Sequence, residues 1–160
     1  SLANFIQYYR RKNLKIEQKQ PQEAKRPASS IDIEFNLFFN YQDIENDLTL
    51  KNNLIKELKY KIFIVPVDSK EKTAFINSST LLSQIDKAEV KTSIEAKGAE
   101  YKQVVLYGFG EYFLNYFETL ENEQDFKKGY FFNKLYVAIT RAQTELIIID
   151  SKESQELFWE

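Results

Sequence analysis

The sequence predicts an α/β fold, a mostly parallel sheet with helices on both faces. Three observations carry that expectation. Residues 62–65, 104–107 and 146–149 are short, continuous apolar runs, the pattern of strands buried on both faces. Segments of helical periodicity separate these runs, as a parallel sheet requires of its crossovers. At 160 residues, 43% of them hydrophobic, the chain suits one compact domain able to bury a core unaided.

Each element follows in order. Leu2, Phe5, Ile6 and Tyr9 recur at helical spacing, so residues 2–12 read as an amphipathic helix. Residues 18–30, with two prolines and Ser29-Ser30, read as a surface connection. Residues 1–30 are therefore expected to be helix and linker, and residues 31–160 the main body of the domain. Ile31, Ile33, Phe35 and Leu37 alternate with polar residues, which predicts a strand near a sheet edge. Ile44, Leu48, Ile55 and Leu58 form one stripe of a helix over 42–59. After the strand at 62–65, Ser78 and Ser79 are candidate caps of a helix reaching Lys87, and Val90 to Ser93 is a short strand. Gly108 and Gly110 punctuate the end of the strand at 104–107. Residues 111–121 and 124–140 read as helices, the second broken near Gly129. The strand at 146–149 precedes a closing helix at Leu157-Phe158-Trp159. Ligands of such sheets lie beyond the carboxyl ends of the strands, which directs attention to the positions after Lys91, Tyr107 and Ile149.

Composition removes several chemistries. The chain has no cysteine and no histidine, so disulfides, thiolate metal sites and imidazole bases are excluded and no metal site is expected. Net charge is −2, unlike a stand-alone nucleic-acid binder. Residues 1–26 nevertheless hold seven Lys/Arg against two Glu; that end either faces a phosphate backbone or is a solvated linker. Glu111, Glu118, Glu121, Glu123 and Asp125 read most simply as a solvated face. No apolar run approaches the roughly 20 residues of a membrane span, and no signal peptide is visible, so a cytoplasmic setting and a monomer are the expectations. The chain contains no methionine, which suggests a piece of a longer protein.

Two segments go beyond fold class. One is Lys91-Thr92-Ser93-Ile94-Glu95-Ala96-Lys97-Gly98-Ala99-Glu100-Tyr101, running into a strand. The other is Lys134-Leu135-Tyr136-Val137-Ala138-Ile139-Thr140-Arg141-Ala142-Gln143, also running into a strand. Here the chain resembles the UvrD/Rep-type superfamily 1 DNA helicases. The first segment is similar to their motif V (Thr-x-His-x-x-Lys-Gly-x-Glu-Phe), the second to motif VI (Tyr-Val-Ala-x-Thr-Arg-Ala). Ala3-Asn4-Phe5-Ile6, Arg10 and Pro27 resemble the helix after motif IV and the connection that follows it.

The resemblance implies the second RecA-like domain of an ATP-dependent helicase or translocase. ATP and Mg²⁺ would be held by a separate N-terminal RecA-like domain, because no phosphate-binding loop occurs in this sequence. It further implies that Arg141 is an arginine finger reaching the γ-phosphate; the alternative is an arginine that pairs with a carboxylate and a helix end. Arginine is scarce here, 4 residues against 18 lysines, and its planar fork suits phosphate oxygens better than an ammonium does. Glu100 would accept from the ribose hydroxyls, or be a surface glutamate. Gly98 would let the backbone turn or approach the nucleotide, and Lys97 is a phosphate-side or simply solvated lysine. Thr92 would contact the backbone of single-stranded DNA, although the family's histidine two positions later is Ile94. Gly129 to Asn133 replaces the family's acidic and basic run, which weighs against a polar network there. The short stretch from Val67 to Val90 leaves no room for the extra domain of many relatives. The competing reading is a non-catalytic helicase-like interaction or regulatory module.

Overall fold

A computed structural model describes residues 34–117 and 125–159. The expected helix at 2–12, the linker at 18–30 and Glu118, Glu121 and Glu123 lie outside the described residues.

The architecture is a five-stranded sheet, parallel throughout, with helices on both faces. In chain order come β1 (Glu34–Asn40), α1 (Tyr41–Asn46), α2 (Leu48–Leu58), β2 (Ile62–Val65), α3 (Ser69–Asn77), β3 (Val90–Thr92) and α4 (Ser93–Ala96). Then follow β4 (Tyr101–Tyr107), α5 (Phe109–Tyr116), α6 (Asp125–Thr140), β5 (Ala142–Asp150), α7 (Lys152–Ser154) and a π-helical turn, Gln155–Trp159. The strand order is β1-β5-β4-β2-β3. The α/β class expected of a RecA-like domain is the class observed, and the alternating strand lies at the sheet edge as its pattern predicted.

Period-2 geometry divides the three central strands between two cores. Ile64, Val104, Leu106, Leu146 and Ile148 point to one face, where Phe109 of α5, Phe131 and Leu135 of α6, and Phe158 and Trp159 cover them. Phe63, Val65, Val105, Tyr107, Ile147 and Ile149 point to the other, under Ile44, Leu54 and Leu58 of α1–α2 and Ile76 of α3. Every position of the runs 62–65, 104–107 and 146–149 therefore meets hydrocarbon, which is why they carry no polar alternation.

Four expectations are corrected. The helix over 42–59 is two helices, because Asp47 ends α1 and its carboxylate caps α2 by accepting from the Leu50 N–H at 3.0 Å. Its buried stripe runs through Ile44, Leu54 and Leu58, while Leu48 is 70% exposed. Ser78 ends a helix rather than starting one, since α3 spans Ser69–Asn77 and 3₁₀ turns follow at Leu82–Gln84 and Lys87–Glu89. Ser79 still caps, by accepting from the Leu82 N–H of the first turn. Finally, α6 is continuous through Gly129, where the packing of Phe131, Leu135, Ala138 and Ile139 outweighs a glycine penalty of about 1 kcal/mol.

Candidate functional site

The residues singled out by the two motifs fall at opposite edges of the sheet. Thr92 ends β3 and pairs with Val65 at the carboxyl end of β2. Tyr101 and Ala142, which follow Glu100 and Arg141, pair at the amino ends of β4 and β5. The register sets Thr92 level with Tyr107, six residues beyond Tyr101, or roughly 20 Å at ~3.3 Å per residue. Residues 93–100 carry the chain back from one edge to the other. Arg141, Glu100 and Gly98 are thus grouped away from the carboxyl ends where ligands of such sheets were expected, and Thr92 is not among them.

At the amino edge, α6 delivers Arg141. Its Nε donates to the Val137 carbonyl at 3.1 Å, Nη1 to the Ala99 carbonyl at 3.1 Å, and Nη2 to the Thr140 hydroxyl at 3.2 Å. The Arg141 carbonyl in turn accepts from the Tyr101 N–H at 2.8 Å. These bonds tie the end of α6 to the Gly98–Tyr101 turn. All three acceptors of the guanidinium are neutral, and among the described residues no carboxylate pairs with it. The expected alternative, a carboxylate-paired arginine, is thus half present: Arg141 satisfies carbonyls at a helix end but keeps its charge uncancelled. Gly98 turns the loop at φ +87, a left-handed conformation that costs other residues about 1–2 kcal/mol. Lys97 and Glu100 are exposed, and Glu100 accepts from Gln143 Nε2 at 3.3 Å.

Thr92 is 2% exposed and closes a capping box. Its hydroxyl accepts from the Glu95 N–H at 3.2 Å, and Glu95 Oε1 accepts from the Thr92 N–H at 2.9 Å. Lys72 Nζ holds the same carboxylate at 2.8 and 3.1 Å. Burial alone would raise the Glu95 pKa, but the hydrogen bonds from Lys72 and the Thr92 N–H outweigh it and hold the group below the usual value. Ile94, where the family carries histidine, is 61% exposed.

A polar network does cross near Asn133, against expectation, but it uses the next residue. Lys134 pairs with Asp68, just past β2, and lies over the Tyr130 ring at 4.6 Å. Its carbonyl accepts from Ser93 Oγ at 2.9 Å. The Lys91–Tyr101 segment is thereby bonded to α6, which ends one residue before Arg141.

The carboxyl edge holds features that local motifs did not announce. Asp150 is completely buried and accepts from the N–H groups of Gly110, Glu111 and Ser151 and from Trp159 Nε1, at 2.6–2.9 Å. Beside it a cavity of about 290 Å³ opens between Tyr41, Glu45, Phe75, Ser79, Tyr107 and Glu111. The Tyr41 and Tyr107 rings are 5.4 Å apart, and Phe75 meets Tyr107 edge-on. Glu111 is half-buried rather than part of a solvated face. Burial first, and the Asp150 charge second, raise its pKa; burial pushes Tyr107 up to about 12. No group of three or more metal-ligating side chains occurs among the described residues, and no helix there is long and apolar enough to cross a membrane.

No protein-family model matches the sequence, and no curated protein matches it. Among solved structures, the chain is similar to the C-terminal domain of a possible DNA helicase from Lactobacillus plantarum WCFS1. The identity is 15% and the TM-score 0.44, over 77% of this chain and 81% of that one.

Proposed function

We propose that this chain is the second RecA-like domain of a UvrD/Rep-type, ATP-dependent DNA helicase or translocase. In this reading a partner RecA-like domain binds ATP and Mg²⁺ through its own phosphate loop. The amino edge of the present sheet closes over the nucleotide. Arg141 stabilises charge developing on the γ-phosphate, Glu100 accepts from the ribose, and Gly98 lets the backbone come close. Lys97 adds positive charge to the same loop. Opening and closing of the cleft with hydrolysis moves the pair along single-stranded DNA, whose backbone passes the Thr92 end of the sheet.

The observation that carries the reading is Arg141, held at the sheet edge by three neutral oxygen acceptors and no carboxylate. A guanidinium has five N–H groups, so two remain to donate to an anion. An arginine kept only for stability would gain more from a charged partner.

A second reading, a non-catalytic helicase-like module, is favoured by the other motif. The Thr92 hydroxyl is buried and already accepts a cap bond, and an exposed Ile94 stands where a histidine would meet DNA. Steady-state ATPase of this chain, alone and joined to its partner RecA-like domain, separates the two. The motor reading predicts no turnover from the chain alone and DNA-stimulated turnover from the joined protein. Turnover by the chain alone sinks the division of labour; a silent joined protein supports the module.

A further inference from the structure

The cavity at the carboxyl edge has no part in the reading above, and its chemistry selects a ligand class. Its walls are aromatic faces and edges, from Tyr41, Tyr107 and Phe75. Its polar groups are hydroxyls and carboxylates. Ser79 Oγ and the Tyr107 hydroxyl share a hydrogen bond at 2.7 Å, and Thr80 donates to Glu45 Oε1 at 2.6 Å. The Tyr41 hydroxyl lies near Glu111.

Among the described residues no lysine or arginine lines the cavity, and none pairs with Glu45, Glu111 or the adjacent Asp150. The pKa values of Tyr41 and Glu111 are raised first by burial and then by the Asp150 charge, which adds negative potential beside the cavity. An anion inside the cavity would meet Glu45 and Glu111, with no described cation to hold it. A neutral ligand could use the hydroxyls but would leave both carboxylates without a counter-charge. A cation on an apolar stem answers every part of the lining. Its stem and charge pack on the tyrosine rings, and its N–H groups donate to the carboxylate oxygens.

We propose that this cavity binds a guanidinium or ammonium group on an alkyl stem, held by Glu45 and Glu111 between Tyr41 and Tyr107. The size agrees, since about 290 Å³ falls just below the roughly 300–1,000 Å³ usual for ligand pockets and suits a side-chain-sized group. Such a group is supplied either by a free alkylamine or by an arginine or lysine of a protein partner.

The test is a titration of the ¹⁵N-labelled full chain, following the amide shifts of Ser79, Leu81, Tyr107 and Glu111. The probes are agmatine, the capped tripeptide acetyl-Gly-Arg-Gly-amide, and neutral butylurea. Saturable shifts are expected with the cations and not with butylurea. Glu111→Gln, and separately the exposed Glu45→Gln, should each weaken cation binding about tenfold, the value of one charge-assisted bond. Binding of the peptide at least as tightly as agmatine assigns the site to a protein-borne side chain; binding of agmatine alone assigns it to a free amine. Equal shifts with butylurea, no shifts with either cation, or affinity unchanged in both variants overturns the proposal.

Discussion

The guanidinium of Arg141 commits three of its five N–H groups to Val137, Ala99 and Thr140. Rigidity and availability come from the same bonds, because each acceptor fixes the plane of the fork without neutralising it. Lysine cannot copy this, having no fork to span two carbonyls and a hydroxyl. Glu111 shows a different balance at the residue scale. Its carboxyl is raised in the folded state, so it keeps its proton to higher pH than the unfolded chain does. Its contribution to stability is therefore present below the unfolded value of 4.5 and is lost as pH rises through the folded value. Glu95, lowered in the fold, has the opposite sign: its contribution is present above 4.5 and is lost as pH falls through the folded value. Urea denaturation at pH 4.5 and pH 7 isolates the first effect. Glu111→Gln should be more stable relative to wild type at pH 7 than at pH 4.5; an unchanged difference contradicts the assignment.

At the scale of elements, Asp150 joins three of them. It ends β5, its carboxylate receives two N–H groups from the first turn of α5, and Trp159 of the closing π-helical turn donates to it. A carboxylate among α5's first amides also suits the helix dipole. Gly110 makes this approach possible, because a Cβ there would lie 2.6 Å from Ser154 Cβ and 2.7 Å from Asp150 Oδ2. Replacing Asp150 with alanine leaves buried donors unsatisfied, at ~1–3 kcal/mol each. Asp150→Ala should thus lose at least about 3 kcal/mol in urea denaturation, and a loss under 1 kcal/mol contradicts the keystone role. Helix α6 is the second joining element. It is bonded to Ser93 and Asp68 through Lys134 and leads directly into Arg141, so the two candidate segments share one support.

Across the whole molecule, the legible part was what local pattern dictates. Continuous apolar runs specified β2, β4 and β5, and alternation placed β1 at the edge. Less legible was α3, whose nine residues bury only Ile76 and so leave almost no amphipathic signal. The break at Gly129 was expected from propensity and overridden by packing, since Phe131 and Leu135 are locked into the core on the following turns. The candidate site residues came from the resemblance to helicase motifs V and VI, but their partition between the two edges follows from strand register, which no local window contains. The cavity is likewise assembled from residues 41–111 by the fold alone.

That partition sets Arg141 at the centre of the edge proposed to face the nucleotide. Steady-state ATPase of this chain joined to the RecA-like domain proposed as its partner, with and without single-stranded DNA, tests that role when wild type and Arg141→Ala are compared. The expected result is DNA-stimulated turnover that falls on the order of 10³-fold or more in the variant, while its circular dichroism spectrum stays folded. Turnover within a few-fold of wild type in a folded Arg141→Ala protein would contradict it.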